Sequence, residues 1–344
     1  MKDPYMAVAL QTSLWEDKEK NLEHITEGVD TTVGLASLEY PVKLVTLPEA
    51  AVQGLEPDPD KATTIPGEET DRLGELAEQF GIYICGELFN VIEDGFEDRF
   101  FNKGFVIDPN GDVIHERAKL QLEHGAECIS TSPHDVWDDW MEDEESALDA
   151  LYPVVDTDIG KIGCMICADG GYPEISRGLA MNGAEIIYRP TYHEPFVSDG
   201  TWKLQNRAHA MFNTCYVVAP NAAGYTETAE SPAPFDIGGG KSMIVGYKGN
   251  VLNEVESGNN TYAAGEINID ALRDRRTSVM GLGNFPKDLR TEAYQPIYED
   301  PVYQKNARLE EERPEDAWLQ SQTEQYQTSI ATLIERGVYE EPTE

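Results

Sequence analysis

The chain has 344 residues, of which 64 are acidic and 26 are basic, so its formal net charge is −38. Hydrophobic residues make up 40% of the sequence, which is enough for a substantial core and excludes a wholly disordered chain. Nucleic acid and anionic membrane are excluded as partners because this charge would repel both. The sequence has no long apolar run and no apolar signal-peptide core after its first residues, so a cytoplasmic protein is expected.

The acidic residues are distributed along the chain and do not form a tail. Clusters lie at 56–60, 93–98, 138–145, 298–301 and 309–316. Distributed carboxylates keep a protein surface hydrated in concentrated salt, where ions also screen the self-repulsion. The pattern therefore favours a salt-adapted, halophilic source over an ordinary acidic protein.

In the first third of the chain, short apolar strands alternate with helices. In chain order the sequence predicts a strand at 6–13, a helix at 15–35, a strand at 42–49, a helix at 69–80, a strand at 82–89 and a hairpin at 101–120. The helix at 69–80 places Leu73, Leu76 and Phe80 on one face, which is typical of a helix packed on a core. The hairpin prediction depends on Asn110-Gly111 between two apolar runs.

The alternation resumes after an acidic insertion at 138–147. The predicted elements are a hairpin turning at 158–161, a helix at 173–182, a strand at 184–190, a helix at 201–213, a strand at 215–221, a hairpin at 242–256, a strand at 261–269 and a helix from 270. Hairpins mixed with strand–helix alternation predict an α/β layer protein with mixed sheets, for which an α-β-β-α sandwich is one solution. The main domain is predicted at 1–281. The polar, proline- and tyrosine-rich segment 282–344 is predicted to be an extended arm ending in a helix at 315–336.

Cys167 is the candidate nucleophile. It follows a buried strand predicted at 162–166, and Pro173 is well placed as the first residue of the next helix. A thiol at such a junction lies at the sheet edge, where nearby helix amides favour the thiolate. Two alternatives stay open: Cys164-x-x-Cys167 also matches a redox or half-zinc pattern, and a buried cysteine is often only structural.

The remaining cysteines and the histidines do not complete a familiar site. Five cysteines are an odd number, which fits reduced thiols; Cys85, Cys164 and Cys215 lie in strand patterns and Cys128 lies in a loop. None of the six histidines has the setting of a base in a papain-like protease. Glu49 and Lys119 do stand at predicted strand ends, although either one alone is typical of a solvated residue.

Taken together, these residues make the chain resemble the nitrilase superfamily of carbon–nitrogen hydrolases. Glu49 in LPEA, Lys119 after the hairpin and Cys167 in GCMICADGGYPE match its Glu–Lys–Cys triad in order and spacing. Glu127 stands where the amidase branch carries a second active-site glutamate. The similarity runs from 6 to 298 and is greatest to aliphatic amidases and formamidases, in ICADGGYPEISRGLAMNGAEII and NTCYVVAPNAAGY.

The resemblance implies a four-layer α-β-β-α sandwich that hydrolyses a small amide through a cysteine thioester, without a metal or organic cofactor. Glu49 would take the Cys167 proton and later activate water. Lys119 and the backbone N–H of Ala168 would stabilise the oxyanion. Glu127 would bind the substrate amide or position Lys119. The superfamily commonly forms dimers through neighbouring helices, so a homodimer or larger homo-oligomer is expected, with the aromatic arm lying across another subunit.

The identity of the substrate stays open in the sequence. Ala168-Asp169 after Cys167 resembles the amidase branch, because nitrilases follow their cysteine with Trp-Glu. No aromatic residue lies between Lys119 and Glu127, a departure from the aliphatic amidases. Tyr192 and His193 follow a strand where a substrate-pocket loop is expected. A nitrilase, a carbamoylase and an inactive binding scaffold of the same fold are the alternatives.

Overall fold

The computed structural model describes residues 3–37, 40–55, 58–123, 127, 129–142, 146–192, 200–226, 239–309 and 318–342. The strands are β1 (Tyr5–Gln11), β2 (Leu14–Trp15), β3 (Val42–Thr46), β4 (Tyr83–Glu93), β5 (Phe96–Ile107), β6 (Val113–Ala118), β7 (Val155–Thr157), β8 (Gly160–Cys164), β9 (Ile186–Tyr188), β10 (Tyr216–Ala219), β11 (Tyr225–Thr226), β12 (Met243–Val245), β13 (Val251–Glu254) and β14 (Thr261–Ile267). The helices are α1 (Lys18–Ala36), α2 (Glu68–Phe80), α3 (Trp137–Trp140), α4 (Ala147–Leu151), α5 (Pro173–Met181), α6 (Thr201–Asn213), α7 (Ile269–Ser278), α8 (Thr291–Tyr298) and α9 (Trp318–Glu335).

Two six-stranded mixed sheets form the centre of the described part of the chain. The first has the order β14-β1-β3-β4-β5-β6 and the second has the order β13-β12-β10-β9-β8-β7. Each sheet contains parallel neighbours that are connected through helices, and the outermost strands of each sheet pair antiparallel with their neighbours. The mixed sheets predicted from the hairpin signals are therefore confirmed.

Three apolar layers fill the spaces between these sheets and the helices. The layer between the first sheet and helices α1 and α2 includes Val8, Leu22, Ile25, Val45 and Leu73. The layer between the two sheets includes Ala7, Leu44, Ile162, Ile186 and Ile244. The layer between the second sheet and helices α5 and α6 includes Ile175, Leu179, Trp202, Ala210 and Val217. Neighbouring residues of one strand serve different layers because successive side chains point to opposite faces, and the result is the predicted α-β-β-α sandwich.

The connection between β8 and α5 differs in detail from its prediction. The strand ends at Cys164, two residues before the predicted end, and a single 3-10 turn at Cys167–Gly171 precedes the helix. Pro173 is the first residue of α5, as expected, because its fixed φ suits a helix start and its missing N–H is not needed there. Cys167 thus lies at the first position of a tight turn at the edge of the second sheet.

The segment after 281 contains more helix than the sequence predicts, because α8 forms around Pro296. The final helix α9 lies where it was predicted.

The stretch 302–309 lies against 130–138 of the same chain. Its contacts are the amide of Asn306 to the carbonyl of His134 (3.0 Å), the amide of Arg308 to the carbonyl of Asp135 (3.0 Å) and Nη1 of Arg308 to the carbonyl of Ser130 (2.7 Å). In the described ranges no helix combines the length and apolar character that a membrane span requires.

Candidate active site

Cys167 has a strained backbone and a partly accessible side chain. Its φ is 43°, in the left-handed region that non-glycine residues seldom adopt, and such outliers cluster at functional sites. Its amide donates a hydrogen bond to the carbonyl of Pro190 (2.8 Å), which ties the turn to the end of β9. The hydroxyl of Thr191 donates to Sγ of Cys167 at 3.3 Å. The strained turn therefore presents the sulfur at the sheet edge.

Glu49, Lys119 and Glu127 form a buried cluster beside this sulfur. Glu49 follows β3 and Lys119 directly follows β6, so both stand at strand ends. Nζ of Lys119 donates to Oε1 of Glu49 at 2.9 Å and to Oε2 of Glu127 at 2.7 Å. The second oxygen of Glu49, Oε2, is buried without a hydrogen-bond partner among the described residues, and the charge of this carboxylate acts on the Cys167 thiol. The structure thus brings together all four side chains that the sequence singled out as catalytic candidates.

The charges in this cluster set which groups carry protons. Burial opposes the positive charge of Lys119, but the carboxylates of Glu127 and Glu49 outweigh it and raise the pKa of Lys119 well above its usual value. Burial raises the pKa of Glu49, although Lys119 opposes this shift. Burial and the nearby Glu49 carboxylate raise the pKa of the Cys167 thiol well above its usual value.

The thiolate that helix amides were expected to favour is therefore not the resting form of Cys167. Desolvation and the charge of Glu49 outweigh the opposing charge of Lys119 at this position. A neutral thiol has to lose its proton before it can act as a nucleophile, and Glu49 is the carboxylate whose charge acts most strongly on this thiol.

Asn102 is a member of this cluster that the sequence reasoning missed. It lies on β5, and its Nδ2 donates to Oε1 of Glu49 at 3.1 Å and to Oε1 of Glu127 at 2.9 Å. One amide group thereby sets the spacing of the two carboxylates that flank Lys119. The available signal was a polar residue inside an apolar hairpin strand that leads to Lys119.

A second missed contact joins the Lys119 strand to the Cys167 turn. Asp169 is fully buried, and Nη1 of Arg117 donates to its Oδ2 at 2.5 Å. The carboxylate of Asp169 also accepts from the backbone amides of Leu120 (3.2 Å), Gln121 (2.9 Å) and Ile166 (3.2 Å). This one side chain therefore fixes the position of Lys119 relative to Cys167.

The outer side of the Cys167 turn is fixed by His209 of α6. Nε2 of His209 lies 2.8 Å from the carbonyl oxygen of Gly170, and its Nδ1 lies 2.8 Å from Oγ of Ser176. Burial, with a smaller effect of Arg189, lowers the pKa of His209 to about 4. The imidazole is neutral near pH 7, and it supports the turn from behind.

The sequence also predicted site roles for Tyr192, Ala168 and His193. Tyr192 is partly buried and packs edge-on against Phe89, with ring centroids 6.1 Å apart. Burial and the neighbouring carboxylate of Glu49 raise the pKa of Tyr192, so its hydroxyl is neutral. Ala168 lies at the start of the 3-10 turn, and its role as an oxyanion donor stays a prediction. His193 lies outside the described residues.

The cysteines occupy different environments. Cys85, Cys164, Cys167 and Cys215 are free thiols. Cys164 is buried between the two sheets, whereas the Cys167 sulfur faces Thr191 and Glu49. The two thiols of the Cys-x-x-Cys pattern thus do not form one site, and Cys128 lies outside the described residues. Over the ranges that the structure describes, no three His, Cys, Asp or Glu side chains are arranged to hold a metal ion.

A four-layer sandwich with a cysteine on a strained turn beside a buried Glu–Lys–Glu cluster is the arrangement that the resemblance implies. The family model described as carbon-nitrogen hydrolase matches residues 6–277. The chain therefore belongs to the carbon–nitrogen hydrolase family, and the family prediction is confirmed.

A known formamidase is similar in sequence to part of this chain. A formamidase of Bacillus cereus (strain Q1) is 31% identical over 215 residues, which are 61% of this chain and 58% of that protein. The chain thus spans less than two thirds of the length of this relative.

Two solved structures share the fold. A carbon-nitrogen hydrolase from Helicobacter pylori G27 has a TM-score of 0.68 at 21% identity, covering 87% of this chain and 99% of that chain. A glutamate-to-glutamine mutant of the amidase from Nesterenkonia sp. AN1 has a TM-score of 0.64 at 19% identity, covering 85% of this chain and 96% of that chain. That mutant shows covalent addition of the acetamide moiety of fluoroacetamide at its active site cysteine.

Proposed function

We propose that this protein is an amidase that hydrolyses a small amide to a carboxylic acid and ammonia through a thioester on Cys167. The observation that carries the proposal is the contact of Lys119 with both Glu49 and Glu127, with the Glu49 carboxylate beside the Cys167 thiol. A neutral thiol, a buried base and a buried cation in one place are the groups that acyl transfer requires.

In the first half of the reaction, the sulfur of Cys167 attacks the amide carbon while Glu49 takes the thiol proton. The carbonyl oxygen becomes an oxyanion, which Lys119 and the backbone N–H of Ala168 stabilise. The carbon–nitrogen bond then breaks, and the leaving nitrogen takes the proton from Glu49 to leave as ammonia. The enzyme is left as a thioester, with Glu49 again ionised.

In the second half, Glu49 removes a proton from water, and the resulting hydroxide attacks the thioester carbon. The carbon–sulfur bond breaks, the carboxylic acid leaves, and the sulfur recovers its proton from Glu49. Glu127 keeps Lys119 in place through its 2.7 Å contact. Lys119 therefore stays positively charged beside the oxyanion in both halves of the reaction. Tyr192 and His193 are proposed to contact the substrate.

A short aliphatic amide is the proposed substrate class. The similarity to the Bacillus formamidase and the acetamide group bound to the cysteine of the Nesterenkonia amidase support it. A nitrile and an N-carbamoyl compound are the alternative substrates, because the same triad would serve both. An inactive scaffold is disfavoured by the presence of all the reacting side chains.

The purified protein is expected to release ammonia from at least one of formamide, acetamide and propionamide, and to act less well on a matching nitrile or a carbamoyl amino acid. The pocket difference that decides between such substrates is only about 1–3 kcal/mol, so some activity on a second substrate is compatible with the proposal. Ammonia release over a concentration series gives kcat/KM for each compound. Activity on the nitrile alone would overturn the amidase assignment, and no ammonia from any compound would favour the scaffold.

We also propose that the chain works as a homodimer or larger homo-oligomer in a salt-rich cytoplasm, with 282–344 contributing to the contact. Exposed apolar side chains of α5, α6 and α8 lie along one groove of the surface. They are Met181 (51% exposed), Phe212 (46%), Ile297 (68%) and Tyr298 (60%). With a formal charge of −38 on each chain, two copies repel one another in dilute buffer, and salt screens that repulsion.

Association is expected to strengthen between about 0.1 M and about 2 M potassium chloride, where the Debye length becomes very short. Sedimentation at both concentrations measures the mass. Ile297→Glu on α8 is expected to yield monomer at high salt, whereas Leu35→Glu, an equally apolar exposed position on α1, leaves the association unchanged. A monomer at every salt concentration, with unchanged activity, would contradict both the interface and the salt adaptation.

A further inference from the structure

Glu87 is a buried carboxylate beside the proposed site that the mechanism above does not use. It lies on β4 opposite Gly104 of β5, and only 1% of its surface is exposed. Its Oε2 accepts a hydrogen bond from the amide of Ala50 at 2.7 Å. Its Oε1 has no hydrogen-bond partner among the residues that the structure describes. An ionised carboxylate in this position would be poorly compensated.

The contact of Glu87 acts on the residue that follows the proposed base. Ala50 has a φ of 60°, the left-handed conformation that a residue with a Cβ seldom adopts without support. The amide of Gly54 donates to the carbonyl of Ala50 at 3.0 Å and closes the turn. Glu87 holds the peptide group between Glu49 and Ala50, and Gly54 holds the next peptide group, so Ala50 is fixed on both sides. The backbone that carries the Glu49 side chain is fixed with it.

The charges of the cluster leave Glu87 as a neutral acid. Lys119 is a cation near three buried acidic side chains, those of Glu49, Glu127 and Glu87. It donates hydrogen bonds to Glu49 and Glu127. Burial and the charge of Glu49 raise the pKa of Glu87 well above its usual value. A neutral Glu87 can hold the Ala50 amide without competing with Glu49 for Lys119.

We propose that Glu87 is a positioning residue: as a neutral acid it holds the Ala50 amide and thereby keeps the Glu49 carboxylate against the Cys167 thiol. The proposal rests on the proposed function, in which Glu49 is the base. A glutamine at position 87 would preserve the contact, because its amide is neutral and its oxygen accepts the same hydrogen bond. A leucine would leave the Ala50 amide buried without an acceptor.

The test compares Glu87→Gln and Glu87→Leu with Asn90→Leu, which removes another buried polar side chain three residues further along β4. The readouts are kcat and KM on a short amide and the pH midpoint for alkylation of Cys167 by iodoacetamide, followed by mass spectrometry. Glu87→Leu is expected to lower kcat by about 10–100-fold with little change in KM, because a small displacement of a reacting group costs up to about 100-fold in rate. Its alkylation midpoint is expected to fall, because a displaced Glu49 no longer opposes the thiolate.

Glu87→Gln and Asn90→Leu are expected to keep the wild-type midpoint, and Glu87→Gln is expected to keep most of kcat. Glycine adopts a φ near 60° freely, so adding Ala50→Gly to Glu87→Leu is expected to restore part of kcat and to keep the protein folded if the single variant does not fold. Wild-type kcat and midpoint in Glu87→Leu would overturn the proposal, as would an equal loss in Glu87→Gln. Alkylation needs no substrate, so a shifted midpoint in a protein that hydrolyses no amide would refute the proposed function alone.

Discussion

Replacing Cys167 with alanine is expected to abolish amide hydrolysis, with a loss in kcat on the order of 10⁴–10⁶-fold, as for other catalytic nucleophiles. The fold is expected to survive, because Cys167 is only half-buried and the hydrogen bond that its sulfur accepts from Thr191 at 3.3 Å is weak. Ammonia release measures the activity, and thermal unfolding measures the stability. Together they separate loss of chemistry from loss of structure.

Cys164→Ala is the matched control for this experiment. Cys164 is fully buried between the sheets, so its truncation is expected to lower the free energy of unfolding by about 1–3 kcal/mol while the folded fraction retains its activity. Substantial turnover by Cys167→Ala would exclude a thioester on that residue. Equal inactivation by the two substitutions would indicate a structural role for both thiols.

Lys119→Met is expected to be the most damaging single change to the cluster. It leaves Glu49 and Glu127 buried without their shared cation, and breaking a buried ion pair in this way costs about 3–5 kcal/mol of unfolding free energy. Removal of an oxyanion donor adds a loss in kcat of about 10²–10³-fold in the molecules that fold. Denaturant unfolding and ammonia release measure the two effects.

The stability of Lys119→Met is also expected to depend on pH. Without the lysine, burial keeps the pKa of Glu49 above its value in the unfolded chain. A group with a raised pKa in the folded state favours folding below its unfolded pKa, and this contribution is lost as the pH rises through the folded pKa. The deficit of the variant should therefore be smallest in acid and grow toward neutral pH.

Lys18→Met provides the comparison at the surface. Lys18 contacts Glu69 at 3.1 Å but is 35% exposed, so its loss is expected to cost at most about 1 kcal/mol at any pH. A similarly small effect for Lys119→Met would contradict the buried, charged state on which the mechanism depends.

The sequence predicts those parts of the site that depend on local pattern. Cys167 was recognised because a strand, a tight turn and a helix-starting proline follow one another. Glu49 and Lys119 stand where apolar strands end, but they were recognised only because the three positions together resemble the triad of the nitrilase superfamily. The order of strands and helices was predicted because apolar periodicity and turn residues can be recognised in short segments of the sequence.

The supporting residues were not predicted because their roles arise only when distant strands meet. Asn102 and Glu49 are 53 positions apart, and Arg117 and Asp169 are 52 positions apart. Glu87 resembles an ordinary strand residue until β4 places it beside the Ala50 amide. No pattern within one segment specifies such contacts, so they require the assembled sheets.

The helix α8 was missed for a different reason. Pro296 predicts an extended segment, because proline removes one backbone hydrogen bond from a helix. Helix α8 has only eight residues, and Pro296 lies near its C-terminal end, so the proline removes a single backbone hydrogen bond. The flanking residues still adopt helical geometry. A rule that holds for helix interiors therefore gave too little helix here.

The pairing of β1 with β14 has a consequence for how the chain folds during synthesis. Tyr5 pairs with Ile267 and Gln11 with Thr261, so one edge of the first strand is covered only by a strand made about 250 residues later. Until that strand emerges, β1 presents unpaired amides and carbonyls to any neighbouring chain. Contacts this remote in sequence form slowly. A crowded polysome is therefore the setting in which the open edge of β1 is most exposed to pairing with another copy of the chain.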